Sequence, residues 1–340
     1  MKFKKIAVVV FLLLVIAALA YFIVRSLSPT TLRSVTKTST LRLTEALLPK
    51  IDPTKSFTVV ALPDIQNYSE KYPEILCKQT EWIVANKEKL NIVFVSELGD
   101  ITNNGAKKMY EWGNASRCLG KLDGIVPYSV IPGNHDADVS SQKSSGFSAY
   151  DATFPASRFD KYSWYGGNYE NNRNNYEGPP PRKEVAPPLK LLFLNLEIEP
   201  SDAVLAWANT VVKTHPDFYT ILTTHKYLLI NSKARESTVN FSSDGNSGED
   251  IWNKLVKDNC SIAMVWSGHN HGENRISSVN SCGKTVNETV QDYQDRENGG
   301  NGWLRIYTFT PEKHSVDVRT YSPYLNQIET DADSQFTLPL

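Results

Sequence analysis

The sequence has few cysteines, almost no net charge and no internal repeat. Its four cysteines, Cys77, Cys118, Cys260 and Cys282, show none of the close spacings of a structural zinc site. Two readings of them stand. In an oxidising compartment they pair as Cys77–Cys118 and Cys260–Cys282; otherwise all four are buried thiols. The formal charge is −1, from 36 basic and 37 acidic residues. That balance lacks the basic excess on which nucleic-acid binding rests, so no nucleic-acid partner is expected. No long block of like charge is present either, and the 41% hydrophobic content is that of a folded protein rather than a disordered one. A chain of 340 residues suits one large domain or two small ones.

Long apolar runs are also scarce, with one exception. Met-Lys-Phe-Lys-Lys is followed by Ile6 to Val24, nineteen apolar or small residues without interruption. As a helix rising 1.5 Å per residue, that run comes close to the ~30 Å hydrocarbon thickness of a bilayer. A globular helix has no need to be apolar on every face. Residues 1–25 are therefore expected to be a membrane anchor or signal segment. Ala18-Leu19-Ala20 resembles a cleavage site, but Tyr21 to Val24 continues the apolar run beyond it, which favours a retained anchor. Secretion after cleavage is the alternative. Basic residues flank the run on both sides, Lys2, Lys4 and Lys5 before it and Arg25, Arg33, Lys37 and Arg42 after it. The short basic leader still has the form of an export signal, so the domain is placed outside the cytoplasm. Residues 26–55, rich in Ser and Thr, read as a spacer off the membrane. Residues 56–323 form the domain and 324–340 a tail. Four of the basic residues and no acidic residue lie in residues 1–25, which leaves 32 basic against 37 acidic beyond them.

From Ser56 onward, short apolar runs alternate with helical patterns. Strands are expected at 57–62, 92–98, 126–131, 189–196, 218–223 and 262–266. Helices are expected at 73–90, 106–121, 202–213 (capped by Ser201) and 249–257. Beyond Arg275 the pattern changes to short strands, ending in a hairpin of 303–309 and 315–320. Such alternation implies an α/β fold with a largely buried sheet.

The polar residues fall just past the ends of the strands. Asp64-Ile65-Gln66 follows the first. Gly99-Asp100-Ile101-Thr102-Asn103 follows the second, and Gly133-Asn134-His135-Asp136 the third. Later strands end in Thr224-His225 and in Gly268-His269-Asn270-His271. Four of the six histidines sit at these ends; His215 and His314 do not and read as surface residues. One Asp or one His after a strand is ordinary turn chemistry. Five strand ends that deliver such groups to one sheet edge mark the place where open α/β sheets build ligand sites.

These residues supply oxygen and imidazole nitrogen and no thiolate, a mixture suited to manganese, iron, magnesium or zinc. Two cations about 3.5–4 Å apart need a shared carboxylate, and Asp100 is placed to be that bridge. Such a pair clamps a phosphate and lowers the pKa of a bound water, whose hydroxide attacks phosphorus in line. His135, next to Asn134, is the candidate general acid for the departing alkoxide, with Asp136 expected to orient its ring.

The five segments resemble the calcineurin-like metallophosphoesterases, whose pattern runs Asp-x-His, Gly-Asp-x-x-Asp/Asn, Gly-Asn-His-Asp/Glu, His and Gly-His-x-His. The resemblance spans residues 56–323. It implies a four-layer α-β-β-α sandwich, two packed β-sheets with helices on both outer faces. It also implies two divalent metal ions (Mn, Fe, Mg or Zn). One would take Asp64, Gln66, Asp100 and His271; the other Asp100, Asn134, His225 and His269. The chain departs from the pattern at Gln66, where a His is usual. It is similar there to a branch carrying Asp-x-Gln, which includes proteins like a Ser/Thr phosphatase. An amide oxygen is a harder and weaker donor than imidazole, so a looser first site is expected, tolerant of magnesium or manganese.

Residues 161–188 are rich in Gly, Pro, Asn and Tyr and read either as a cap with aromatic side chains for a leaving group or as a plain surface loop. Arg173 in that segment, Arg296 near the last hairpin and Asn103 are candidate substrate contacts. The expected activity is hydrolysis of phosphomonoesters, on a phosphoprotein or a small molecule. A phosphodiesterase or nucleotidase is the alternative, and a membrane-anchored binding protein with a degenerate metal site is a third reading.

Overall fold

The run Phe-Thr-Val-Val-Ala-Leu is apolar on both faces, and all six residues are buried in β1 (Phe57–Leu62). A strand covered on both sides needs no polar alternation. The computed structural model describes residue 48 and residues 50–170, 173–180 and 185–340. The apolar run 6–24 and most of the expected spacer therefore lie outside the described residues. Among the described residues, no helix is long and apolar enough to cross a membrane.

After β1 come α1 (Gln66–Lys71) and α2 (Pro73–Asn86), then β2 (Ile92–Glu97), α3 (Met109–Leu119) and β3 (Tyr128–Ser129). Pro73 opens α2 as expected, because a first-turn position needs no N–H partner. The short β3 corrects the expectation of a strand over 126–131: Pro127 and Pro132 flank it, and neither can donate to a ladder. Next come α4 (Ser148–Thr153), β4 (Tyr165–Tyr169), β5 (Asn174–Glu177), β6 (Leu191–Leu196), α5 (Asp202–Thr214) and β7 (Tyr219–Thr224). The hydroxyl of Ser201 caps α5 by accepting from the Val204 N–H at 3.4 Å. Then follow α6 (Gly248–Ile251), a π-helical turn over Trp252–Val256, and β8 (Ile262–Ser267). The chain ends in β9 (Gly272–Val279), β10 (Thr285–Asp292), β11 (Leu304–Thr310), β12 (Ser315–Ser322), β13 (Gln327–Ile328) and β14 (Gln335–Pro339).

The strands make two sheets. The first runs β13-β12-β11-β1-β2-β3, with β14 also on β12; the second runs β4-β5-β6-β7-β8-β10-β9. Their inner faces meet. Val59, Ala61, Phe94, Tyr307 and Phe309 from the first pack on Phe193, Ile221, Met264 and Trp266 from the second. Phe94 stacks on Phe193 at 3.8 Å and Trp266 on Tyr307 at 4.2 Å. On its outer face the second sheet buries Leu192, Leu194, Leu222 and Val265 against Val204, Leu205 and Val211 of α5 and Ile251 and Leu255 beyond it. The first sheet receives α2, whose Trp82 meets Tyr321 of β12 at 5.0 Å and whose Gln79 donates to the Trp303 carbonyl at 3.1 Å. The result is a mixed α/β sandwich.

Two segments differ from the sequence reading. Residues 161–188 are no mere loop: β4 and β5 form a hairpin on the edge of the second sheet, and Tyr169 and Tyr176 pack against Trp207. The runs Gly166-Gly167-Asn168 and Asn174-Asn175 hid that strand pattern. The expected tail at 324–340 contains β13 and β14, which pair with β12, and its Leu338 is buried beneath the sheet. Both disulfides form: Cys77 joins α2 to Cys118 of α3 with Cα atoms 4.5 Å apart, and Cys260 joins Cys282 at 5.7 Å. Cross-links of this kind stabilise by roughly 2–4 kcal/mol.

Candidate metal centre

In the first sheet β1, β2 and β3 run parallel; in the second β6, β7, β8 and β10 do. At four of these ends the chain turns through a left-handed residue: Asp64 (φ 45°), Asp100 (φ 54°), Glu199 (φ 44°) and His269 (φ 68°). Non-glycine residues reach that region at a cost of about 1–3 kcal/mol each, and such strain gathers where side chains must be aimed. Glycine neighbours supply the space. A Cβ on Gly99 would stand 2.5 Å from His225 Nδ1, on Gly133 2.1 Å from Asp100 Oδ1, and on Gly268 2.1 Å from Asp64 Oδ2. Each motif glycine therefore makes room for a neighbour's polar head.

The structure brings Asp100, His225 and His269 together, with one potential ligand atom from each within 4.8 Å of the others. His225 is fully buried and its Nδ1 donates to the Leu98 carbonyl at 2.8 Å. That bond leaves the Nε2 lone pair facing Asp100 Oδ2 at 3.3 Å. His225 Nε2 and Asn134 Oδ1 are both buried without a hydrogen-bond partner. The Asn134 amide nitrogen donates to Ser141 Oγ at 3.2 Å, which orients that oxygen. Buried acceptors are rarely left alone in a native fold. Two such acceptors beside a carboxylate match what a divalent cation takes, and the donor set fits one. Burial works to raise the Asp100 carboxyl, but His225, then His135 and His269, hold it down at about 2. Burial and the neighbouring His225 push His269 down to about 3, so its imidazole is neutral and able to ligate.

The other side of Asp100 is richer in acid. Asp64 accepts from the His269 N–H at 3.1 Å. Burial, then the charges of Asp292 and Asp100, push its carboxyl well above the usual range. Gln66, at the start of α1, is buried; its amide donates to Asp100 Oδ2 at 3.4 Å and to Gln294 Oε1. His271 is not with His269: its side chain is 46% exposed and its Nδ1 donates to Asp295 at 2.7 Å. Its Nε2 accepts from the Gln294 amide at 2.7 Å and stands 3.7 Å from Asp292 Oδ2. Asp292, Gln294 and Asp295 were missed from the sequence. The signal was present, since Asp292 ends a strand just as Asp64 follows one, but the late segment reads as irregular turns.

His135 lies at the rim. Its N–H donates to Asp100 Oδ1 at 2.9 Å, and its ring Nδ1 is 3.0 Å from the Asn103 carbonyl and 3.1 Å from Ser140 Oγ. Asp136 does not orient that ring, which corrects the expectation. Its carboxylate accepts from the N–H groups of Ile101, Thr102 and Gly133 at 2.8–3.0 Å and from Thr102 Oγ1. It ties the second and third strand ends together, and burial and the Asp100 charge raise it to about 7. The candidate substrate contacts are engaged with the protein. Asn103 donates its amide to Glu70 at 2.8 Å. Arg173 lies 3.7 Å from both Asp151 and Glu197, and Arg296 pairs with Glu329 at 2.7 Å and Glu273 at 3.6 Å. Glu199, also missed, accepts from the N–H groups of 240–242 and from Lys226. That pins Phe241 edge-on to His269 at 5.5 Å.

A family model described as calcineurin-like phosphoesterase matches residues 57–281. The uncharacterized protein YvnB of Bacillus subtilis (strain 168) is 36% identical over 305 residues, covering 86% of this chain and 22% of that protein. The chain thus spans about a fifth of the length of this relative. A dimetal phosphatase from Danio rerio shares the fold at a TM-score of 0.52 and 11% identity, over 85% of this chain and 99% of that one. GAP50, described as the anchor in the inner membrane complex of Plasmodium, shares it at 0.51 and 10%, over 84% and 89%.

Proposed function

The chain belongs to the calcineurin-like phosphoesterase family, hydrolases acting on phosphate esters, and from that premise we propose that it hydrolyses phosphomonoesters at a dinuclear metal centre. The observation that carries this reading is the pair of buried acceptors, His225 Nε2 and Asn134 Oδ1, without a hydrogen-bond partner on the flank of Asp100. One ion would be held by Asp100, Asn134, His225 and His269, the other by Asp64, Gln66, Asp100 and His271. Two divalent cations held there would neutralise the phosphate and lower the pKa of an attacking water. The remaining work falls to the chain's own groups. The Asn103 carbonyl and Ser140 fix the ring of His135 through Nδ1, which leaves Nε2 to carry the proton to the leaving oxygen. Asp136 keeps the loops bearing Asp100 and Asn134 in register. Phe241 shields His269 from water on the rim. The two disulfides support placing this domain in an oxidising compartment, in keeping with an export signal at the N-terminus.

The test is hydrolysis of p-nitrophenyl phosphate by the purified chain, stripped of metal and then supplied with manganese, magnesium or zinc. Turnover is expected only with metal, and Asp100→Asn should lower it by on the order of 10³-fold or more, because one substitution removes a donor from both ions. Turnover confined to a bis-ester would move the assignment to a diesterase. No turnover of either ester would sink the reading.

A further inference from the structure

The two-ion reading leaves the first site with one weak donor, because an amide stands at Gln66 where the family pattern has imidazole. Nearby, β10 runs parallel to β8, with Val290 level with Ser267, and antiparallel to β9, with Asp292 opposite Gly272. That register carries Asp292 to the sheet edge where β8 ends and His269 and His271 follow. The Asp292 side chain is buried. Its Oδ1 accepts from the Gln294 N–H at 2.9 Å and its Oδ2 from the Gln294 amide at 2.9 Å. The same amide donates to His271 Nε2 and accepts from Gln66. His271 gives its Nδ1 proton to Asp295, so its Nε2 lone pair is turned to the side on which Asp292 Oδ2 stands, 3.7 Å away. Gln294 thus joins Gln66, His271 and Asp292, with Asp292 Oδ2 and His271 Nε2 3.7 Å apart.

We propose that Asp292 is a ligand of the first cation and supplies the anionic donor that compensates for glutamine at position 66. This rests on the dinuclear reading above. The exchange has a chemical direction. An imidazole is traded for a neutral amide oxygen plus a carboxylate, which makes the site richer in oxygen and raises its donor number from four to five. Oxygen-rich sites with more than four donors suit manganese or magnesium; zinc favours four, with nitrogen or sulfur among them.

The experiment counts ions rather than turnover. The metal-stripped full chain is titrated with Mn²⁺, with free and bound ion followed by electron paramagnetic resonance and heats by calorimetry. The parent chain is expected to take up a pair of ions with the exchange-coupled signal of close neighbours. Asp292→Asn should weaken one of the two by about 10–100-fold, abolish the coupled signal at low Mn²⁺ and leave the other ion's affinity unchanged. Gln66→His added to Asp292→Asn should restore the lost affinity, now with zinc competing better than in the parent. A parent chain that binds no pair would overturn the dinuclear reading, and this proposal with it. A parent that binds a pair, with Asp292→Asn binding both ions equally well, would overturn this proposal alone. Should Asp292→Asn lose its folded circular-dichroism signature, the single variant Gln66→His decides. Under the proposal it gains little manganese affinity, because the donor is already supplied; a gain above about 100-fold would show that nothing had compensated.

Discussion

The two flanks of Asp100 are built differently. On one, His225 is fixed by a backbone carbonyl, Leu98 O, inside a pocket that only Gly99 leaves open. Asn134, itself buried, is turned by Ser141 at the surface. On the other, apart from the His269 and Gln294 N–H groups that Asp64 and Asp292 accept from, the anchors are side chains. Gln66 meets Gln294, Gln294 meets Asp292 and His271, and His271 meets Asp295 at the half-open surface. A backbone carbonyl moves only with the fold, whereas a relay of side chains shifts when one rotamer changes. The flank with His225 is therefore preset by the sandwich, and the flank with Gln66 is adjustable. On the two-ion reading, metal preference is expected to be set on the adjustable flank.

The sharpest test compares a histidine from each. His225→Gln should lower kcat at saturating manganese by on the order of 10³-fold, since it removes a buried ligand from beside Asp100. His271→Gln should weaken one ion by about 10–100-fold, with turnover recovered as manganese is raised. Steady-state kinetics across a manganese series separates the two. Equal and unrecoverable losses would show that the flanks are not distinct.

His135 belongs to neither flank, and its removal tests whether the rim acts by itself. His135→Ala should reduce kcat toward an alkyl phosphate by about 10²–10³-fold while the affinities of both ions stay as they were. With p-nitrophenyl phosphate the loss should be much smaller, because that leaving group departs without a proton. The ratio of the two losses is the diagnostic. A loss of equal size on both substrates would assign His135 to holding Asp100 through its N–H rather than to proton transfer.

How much of this was legible in the sequence follows from the same contrast. The residues of the preset flank were all singled out, because Gly-Asn-His, the lone His225 and Gly-His-x-His each follow an apolar run of plain strand character, and the structure brings Asp100, His225 and His269 together. The buried strands were legible for the same reason, from β1 and β2 through β8, whereas the sandwich followed from the family resemblance. The adjustable flank was half hidden. β10 reads Thr-Val-Asn-Glu-Thr-Val-Gln-Asp, and its alternating polar residues point partly into pairings with Tyr227 and Arg235 that no local pattern announces. Without that strand, Asp292 has no edge to stand on. Arg173 and Arg296 stood out as candidate substrate contacts in polar stretches, yet Glu197, Glu273 and Glu329 come from distant segments that the fold alone brings near. The role expected of Asp136 failed because adjacency to His135 in sequence was mistaken for contact. Its carboxylate points back at the turn of 101–102.

The smallest expected effect lies in metal preference, and it tests whether the adjustable flank is what sets it. Imidazole is a softer donor than an amide oxygen, so Gln66→His should raise zinc affinity at this flank relative to manganese by about tenfold. Gln66 also joins Asp100 to Gln294, so the change breaks one link of the side-chain relay. Part of the gain is thereby offset, because Gln294 loses the donor that orients it toward Asp292 and His271. Competition titrations of zinc against manganese in the parent and the variant read the net result. A preference that moves while kcat in manganese stays within about threefold fits a flank that selects the ion without performing the proton transfer. A variant that binds and prefers metals just as the parent does would place the selection on the flank of His225, where zinc already finds two imidazoles.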